Sequence, residues 1–87
     1  MSMGIMAYQY IYVGRNVEKD EHAGKPIWYI FNRKSQQAIG RILWYPRWRQ
    51  WVATFAEESV WSSGCLKDVK DAMEHIRLND LAAASRR

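Results

Sequence analysis

The chain predicts an α+β domain: an antiparallel β-meander of three to four strands, then one C-terminal amphipathic helix packed on one face of the sheet. Three observations carry that expectation. Residues 7–55 hold short runs rich in Tyr, Ile, Val, Trp and Phe, separated by clusters of Gly, Pro, Asn and Ser. From Ser62 or Ser63 onward the apolar residues recur at the spacing of a helix instead. The length, 87 residues, leaves room for one core, so 1–87 is read as a single small domain.

In order, 7–13 reads as a strand in which Tyr8, Tyr10 and Tyr12 alternate with Gln9, Ile11 and Val13. Residues 14–25 are charged and glycine-containing and read as a polar loop. Pro26 restarts an extended chain, and 27–32 is a near-continuous apolar run suited to a strand contacted on both faces. A polar hairpin connection at 32–37 leads into a strand over 38–45. Pro46 then turns a corner, because proline disfavours a helical residue before it. A further strand over 48–55 ends at Glu57-Glu58-Ser59, after which Val60 and Trp61 add a short strand or dock as a loop. Either Ser62 or Ser63 can cap the helix that follows. Leu66, Val69, Ala72, Met73 and Ile76 line one side of it, with Lys67, Asp68, Lys70, Asp71, Glu74 and Arg77 around the other. Residues 83–87 read as a frayed tail.

Strand parity divides the sheet. In 38–45, Gly40, Ile42 and Trp44 point one way and Ile39, Arg41, Leu43 and Tyr45 the other; in 48–55, Arg49, Trp51, Ala53 and Phe55 oppose Trp48, Gln50, Val52 and Thr54. Burying an unpaired Arg41 under a helix is costly. The helix is therefore expected over Ile42, Trp44, Trp51, Ala53 and Phe55. The second face then shows Arg41, Leu43, Tyr45, Trp48 and Val52, with either Tyr29 and Phe31 or Trp28 and Ile30 beside them. A face that apolar calls for a cover: the N-terminal tyrosine strand, a second copy, or a partner.

Charge points to the kind of partner. The net charge is +4, but the distribution says more: between Glu21 and Glu57 there is no acidic residue and there are six basic ones. Four of the five tryptophans share that stretch, and cations alternate with rings through Trp44-Tyr45-Pro46-Arg47-Trp48-Arg49-Gln50-Trp51. Arg33, Lys34, Arg41, Arg47 and Arg49 are candidates for phosphate contacts, and Tyr45 and Trp48 for stacking on unpaired bases. The composition has a second reading, with Trp44 and Trp51 as core and arginine stems lying over ring faces. Such a surface would serve an acidic host protein or a homodimer.

No catalytic, metal or cofactor site is expected. His22, His75 and the lone Cys65 do not make a zinc ligand set, and Cys65 has no identifiable base beside it. Glu57-Glu58 and Asp68/Asp71 offer no acid–base pair, and the glycines spell no phosphate-binding motif. These absences predict a non-enzyme without a small-molecule substrate. One cysteine predicts a reducing, cytoplasmic setting. No secretory signal opens the sequence, and no apolar run nears the roughly 20 residues that span a bilayer.

The run 39–51, followed by Phe55, Val60-Trp61-Ser62 and Cys65-Leu66-Lys67-Asp68, resembles small proteins encoded by bacteriophages and prophages. Those carry a G-x-I-x-W-Y-x-x-W-R-Q-Y-x-F string and then a serine-capped helix opening C-L-x-D/E-I. The resemblance covers about residues 27–76, and Trp51 stands where an aromatic, usually tyrosine, is expected. It implies a phage or mobile-element accessory role, with stoichiometric inhibition of a host or defence protein as one form. Residues 7–25 lie outside it. The order of meander then helix also looks like the three-stranded DNA-binding domains of some phage integrases, an analogy at the level of fold.

Overall fold

A computed structural model describes residues 5–15, 21–22 and 24–85. Its main sheet has five antiparallel strands in the order β1-β2-β5-β6-β7: β1 (Ile5–Ala7), β2 (Ile11–Arg15), β5 (Trp28–Asn32), β6 (Ala38–Tyr45) and β7 (Gln50–Phe55). A two-stranded ribbon, β3 (Glu21–His22) and β4 (Lys25–Pro26), is inserted between β2 and β5, and one helix, α1 (Ser63–Ser85), closes the fold. The α+β class is as the sequence predicts, with five strands in the main sheet rather than three to four.

The extra strand comes from a break in the tyrosine segment. Tyr8 N–H donates to Ile11 C=O at 2.8 Å, which folds 8–11 into a turn and makes β1 and β2 a hairpin. β2 then pairs with β5, Tyr12 opposite Phe31. The tyrosine segment thus widens the sheet and does not lie over either face. The expected polar loop at 14–25 contains the end of β2 and the small ribbon, whose turn uses Gly24 at φ 80°; residues 16–20 and 23 lie outside the described residues. At the other end, α1 continues to Ser85, through much of the expected frayed tail, and residues 86–87 again lie outside the described residues.

The helix begins where Ser62 Oγ accepts the Cys65 N–H at 3.1 Å, so Ser62 is the cap. Val69, Ala72 and Ile76 are buried against Ile11, Val13, Ile30, Ile42 and Trp51, and these eight residues form the core. Trp28 and Ile30 therefore face the helix, and Tyr29 and Phe31 face away. Three expectations for the helix-side packing are corrected. Leu66 and Phe55 stay 46% and 47% exposed, because α1 does not reach down over that end of β7. Phe55 packs on Trp61 instead, ring centroids 4.5 Å apart, so 60–61 is loop rather than strand, with Trp61 docked and Val60 left 90% exposed. Asp68 is not on a wet face: it is buried, and its carboxylate accepts the Tyr10 N–H at 2.8 Å, tying the helix to the β1–β2 turn.

β6 carries an irregularity with a consequence. Ile30 pairs with Gly40 but Phe31 with Ala38, so Ile39 is the extra residue of a bulge. It packs against the core instead of sharing the outer face with Arg41. Gly40 is needed beside it, since a Cβ there would stand 2.6 Å from the Thr54 carbonyl oxygen.

Candidate functional site

The face of the sheet opposite α1 is built by alternation from four strands. Register places Tyr12 beside Phe31, Gly14 beside Tyr29, Tyr29 beside Arg41, Arg41 beside Thr54, Leu43 beside Val52 and Tyr45 beside Gln50. No element among the described residues packs over these side chains. Tyr12 and Phe31 stack with centroids 4.9 Å apart and planes at 15°. A shallow depression of about 290 Å³ lies between Tyr29, Arg41 and Thr54.

The β6–β7 turn ends this face. Tyr45 C=O accepts the N–H groups of Trp48 (3.2 Å) and Arg49 (2.9 Å), which winds 46–49 into a tight loop with Arg49 at φ 56°. β7 therefore begins at Gln50, later than the strand predicted from residue 48. The turn, not strand alternation, sets Trp48. Its ring meets Tyr45 edge-on at 5.0 Å and is 63% exposed, the most open of the five tryptophans.

The seven residues singled out by composition do not form one cluster. Arg33 and Lys34 sit in the β5–β6 turn, Arg41 in mid-β6, and Tyr45, Arg47 and Trp48 at the far end, so they form a stripe along β6. Eight strand residues span roughly 26 Å, a length within reach of several nucleotides. Arg33 is tied locally, its Nη1 donating to Tyr8 C=O at 2.7 Å, and Asn32 Oδ1 organises its turn by accepting the Lys34 and Ser35 N–H groups. Arg49 departs from the set: with Trp44, Trp51 and Phe55 it lines a groove of about 630 Å³ on the helix side.

Electrostatics separate the two faces. Three ion pairs involve α1: Lys25 with Asp80 (3.0 Å), Lys67 with Asp71 (3.0 Å), and Arg77 with Glu74 (Nε to Oε1, 3.2 Å). The Arg77 hydrogen bond holds the Glu74 carboxyl below its ordinary range, and the Asp71 hydrogen bond raises the Lys67 ammonium. The cations that lie over rings are Arg15, 5.6 Å from Trp28, and Lys25, 5.1 Å from Trp44. Among the described residues Arg41, Arg47 and Lys34 have neither a carboxylate nor a ring partner, and no Asp or Glu projects from the strands of the outer face. They remain available to an external anion.

Sequence reasoning left Tyr12 out of this surface and Tyr29 and Phe31 undecided. Parity contained the signal, but it could not be used until the register between β2, β5 and β6 was known. Among the described residues no three His, Cys, Asp or Glu side chains come together, and no helix is long and apolar enough to cross a membrane. No family model, curated protein or solved structure matches the chain.

Proposed function

We propose that this chain is a non-catalytic binding module, of phage or mobile-element type, that holds single-stranded nucleic acid on its open sheet face. The carrying observation is the union of Tyr12, Tyr29, Phe31, Tyr45 and the exposed Trp48 with Arg41 and Arg47 on a face that bears no carboxylate among the described residues. In this reading bases stack on Trp48 and Tyr45, each stack contributing about 1–3 kcal/mol. Arg41, Arg47 and Lys34 neutralise phosphates along β6 and release counterions. The strand length supports a run of nucleotides rather than a single mononucleotide.

The test is a salt series with labelled single-stranded DNA and RNA, read by anisotropy together with tryptophan emission. Binding that falls steeply with salt, with quenching of tryptophan, supports the reading. No binding to either strand at low salt sinks it. The apolar share of the face (Phe31, Leu43, Val52) favours a second reading, stoichiometric docking of an acidic host or defence protein. Recovery of one dominant acidic protein from host lysate, together with no oligonucleotide binding at low salt, would favour that second reading over the first.

A further inference from the structure

The two edges of the five-stranded sheet are unlike. β1 is three residues long. β7 is six residues long, Gln50-Trp51-Val52-Ala53-Thr54-Phe55, with no charge, proline or bulge in it. Those are the devices that ordinarily keep an edge from pairing. Ala56 N–H donates to Ile39 C=O at 2.9 Å, and this fixes which residues face β6. In an antiparallel ladder the alternate residues turn away from the partner. Trp51, Ala53 and Phe55 therefore direct their N–H and C=O groups outward, where no strand among the described residues meets them. Beside that edge runs the helix-side groove, rimmed by Phe55, Leu66 and Leu81, which are 47%, 46% and 53% exposed.

We infer that β7 pairs antiparallel with β7 of a second copy, about a two-fold axis through Ala53, to give a continuous ten-stranded sheet. The register follows from chemistry at both scales. Outward-facing residues must oppose outward-facing residues, so Ala53 meets its own counterpart and Trp51 meets Phe55 of the second copy. Four positions either side of Ala53 stand Arg49 and Glu57. Both lie in the turns that flank β7, and the same axis brings the end carrying each Arg49 to the end carrying the other copy's Glu57, one complementary pair at each end of an uncharged ribbon. Shifting the axis by one residue breaks this match and brings Arg49 opposite Phe55 or Trp51 opposite Glu57. The exposed rims of the two grooves come together on the helix side, which covers the Phe55 ring that α1 leaves open. The outer face is untouched, so the pairing stands whether or not that face binds nucleic acid.

Sedimentation equilibrium of the full chain tests this, with circular dichroism as a check on folding. The wild type should show twice the single-chain mass. Ala53→Pro removes the central outward N–H while leaving β7's own ladder to β6 intact, as proline on an edge permits, and should return the single-chain mass. Arg49→Glu places like charges at both ends and should weaken dimerisation roughly tenfold. Adding Glu57→Arg to it should restore the wild-type mass. A wild type that stays at single-chain mass at high concentration overturns the inference. So does a dimer indifferent to Arg49→Glu, or one that the double exchange fails to recover. The charge exchange decides the matter even if Ala53→Pro does not fold.

Discussion

The two faces of this sheet use alternate residues of the same strands, yet they end in different states. On the helix side Ile11, Val13, Ile30 and Ile42 are fully buried, and the neighbouring cations are matched to Asp80 or laid over Trp28 and Trp44. On the other side Tyr12, Tyr29, Phe31, Leu43 and Tyr45 are half-buried by one another, and Arg41 and Arg47 have no carboxylate partner among the described residues. Apolar content does not separate them. What separates them is cover and charge: α1 buries the isoleucines and valine of one face together with Trp51, and Lys25 is paired there, whereas Arg41 and Arg47 on the other are not. Ile and Val gain only by leaving water and interlocking, whereas tyrosine keeps a flat apolar body with a hydroxyl that tolerates water. The second set suits a surface that waits for a ligand.

The largest effect should come from adjacent residues on opposite faces. Ile42→Ala should lower stability by about 2–5 kcal/mol in chemical denaturation, and Leu43→Ala by less than about 1 kcal/mol. Equal losses would mean that the outer face is sealed in solution, and the comparison would break. Next, Trp48→Ala should weaken oligonucleotide binding by about 1–3 kcal/mol while shifting stability by no more than about 0.5 kcal/mol. A large stability loss would return Trp48 to the core.

Smaller still is Arg41→Gln. It should lower the slope of log affinity against log salt by about one and act alike on different base sequences. An unchanged slope would place the phosphates elsewhere.

The smallest effect concerns the helix side. Tyr8 is pushed above its ordinary value of 10.0, first by burial and then by the charges of Asp71 and Asp68. The unfolded chain then loses the Tyr8 proton more easily than the folded one. This stability is whole below about pH 10 and is lost as pH rises through the folded value. Tyr8→Phe should flatten that alkaline decline in a melting series, and an unchanged decline would assign it to other groups.

Parity in β6 and β7 was readable because one charged residue, Arg41, sits among apolar ones and marks which side must stay wet. Arg49 shows the limit of composition. Its neighbours group it with the stripe, parity groups it with Trp51, and the structure follows parity. The break at 8–11 left no trace in a segment that alternates without fault, because part of what holds it is a carboxylate 58 positions away. Asp68 carries no local sign of burial either: its place in the helix matches that of any solvated aspartate until the β1–β2 turn is packed against it. The β6–β7 turn hid Trp48's position in a similar way, since the left-handed Arg49 removes two residues from the expected strand.

The bond between Tyr10 and Asp68 joins the first hairpin to the last element of the fold, and that has a bearing on how the protein is made. A ribosome releases the chain from its N-terminal end, so all five strands of the main sheet emerge before the helix exists. Each of those strands neighbours the next main-sheet strand in sequence, and the meander can assemble by local hairpin closure as it appears. Until Asp68 arrives, however, Ile11, Val13, Ile30 and Ile42 are as open to water as the tyrosines behind them. The nascent sheet therefore passes through an interval with two sticky sides, which ends only when the helix is complete and latched. Slow decoding of 63–85 would lengthen that interval, and its cost would appear as aggregation during expression rather than as a less stable product.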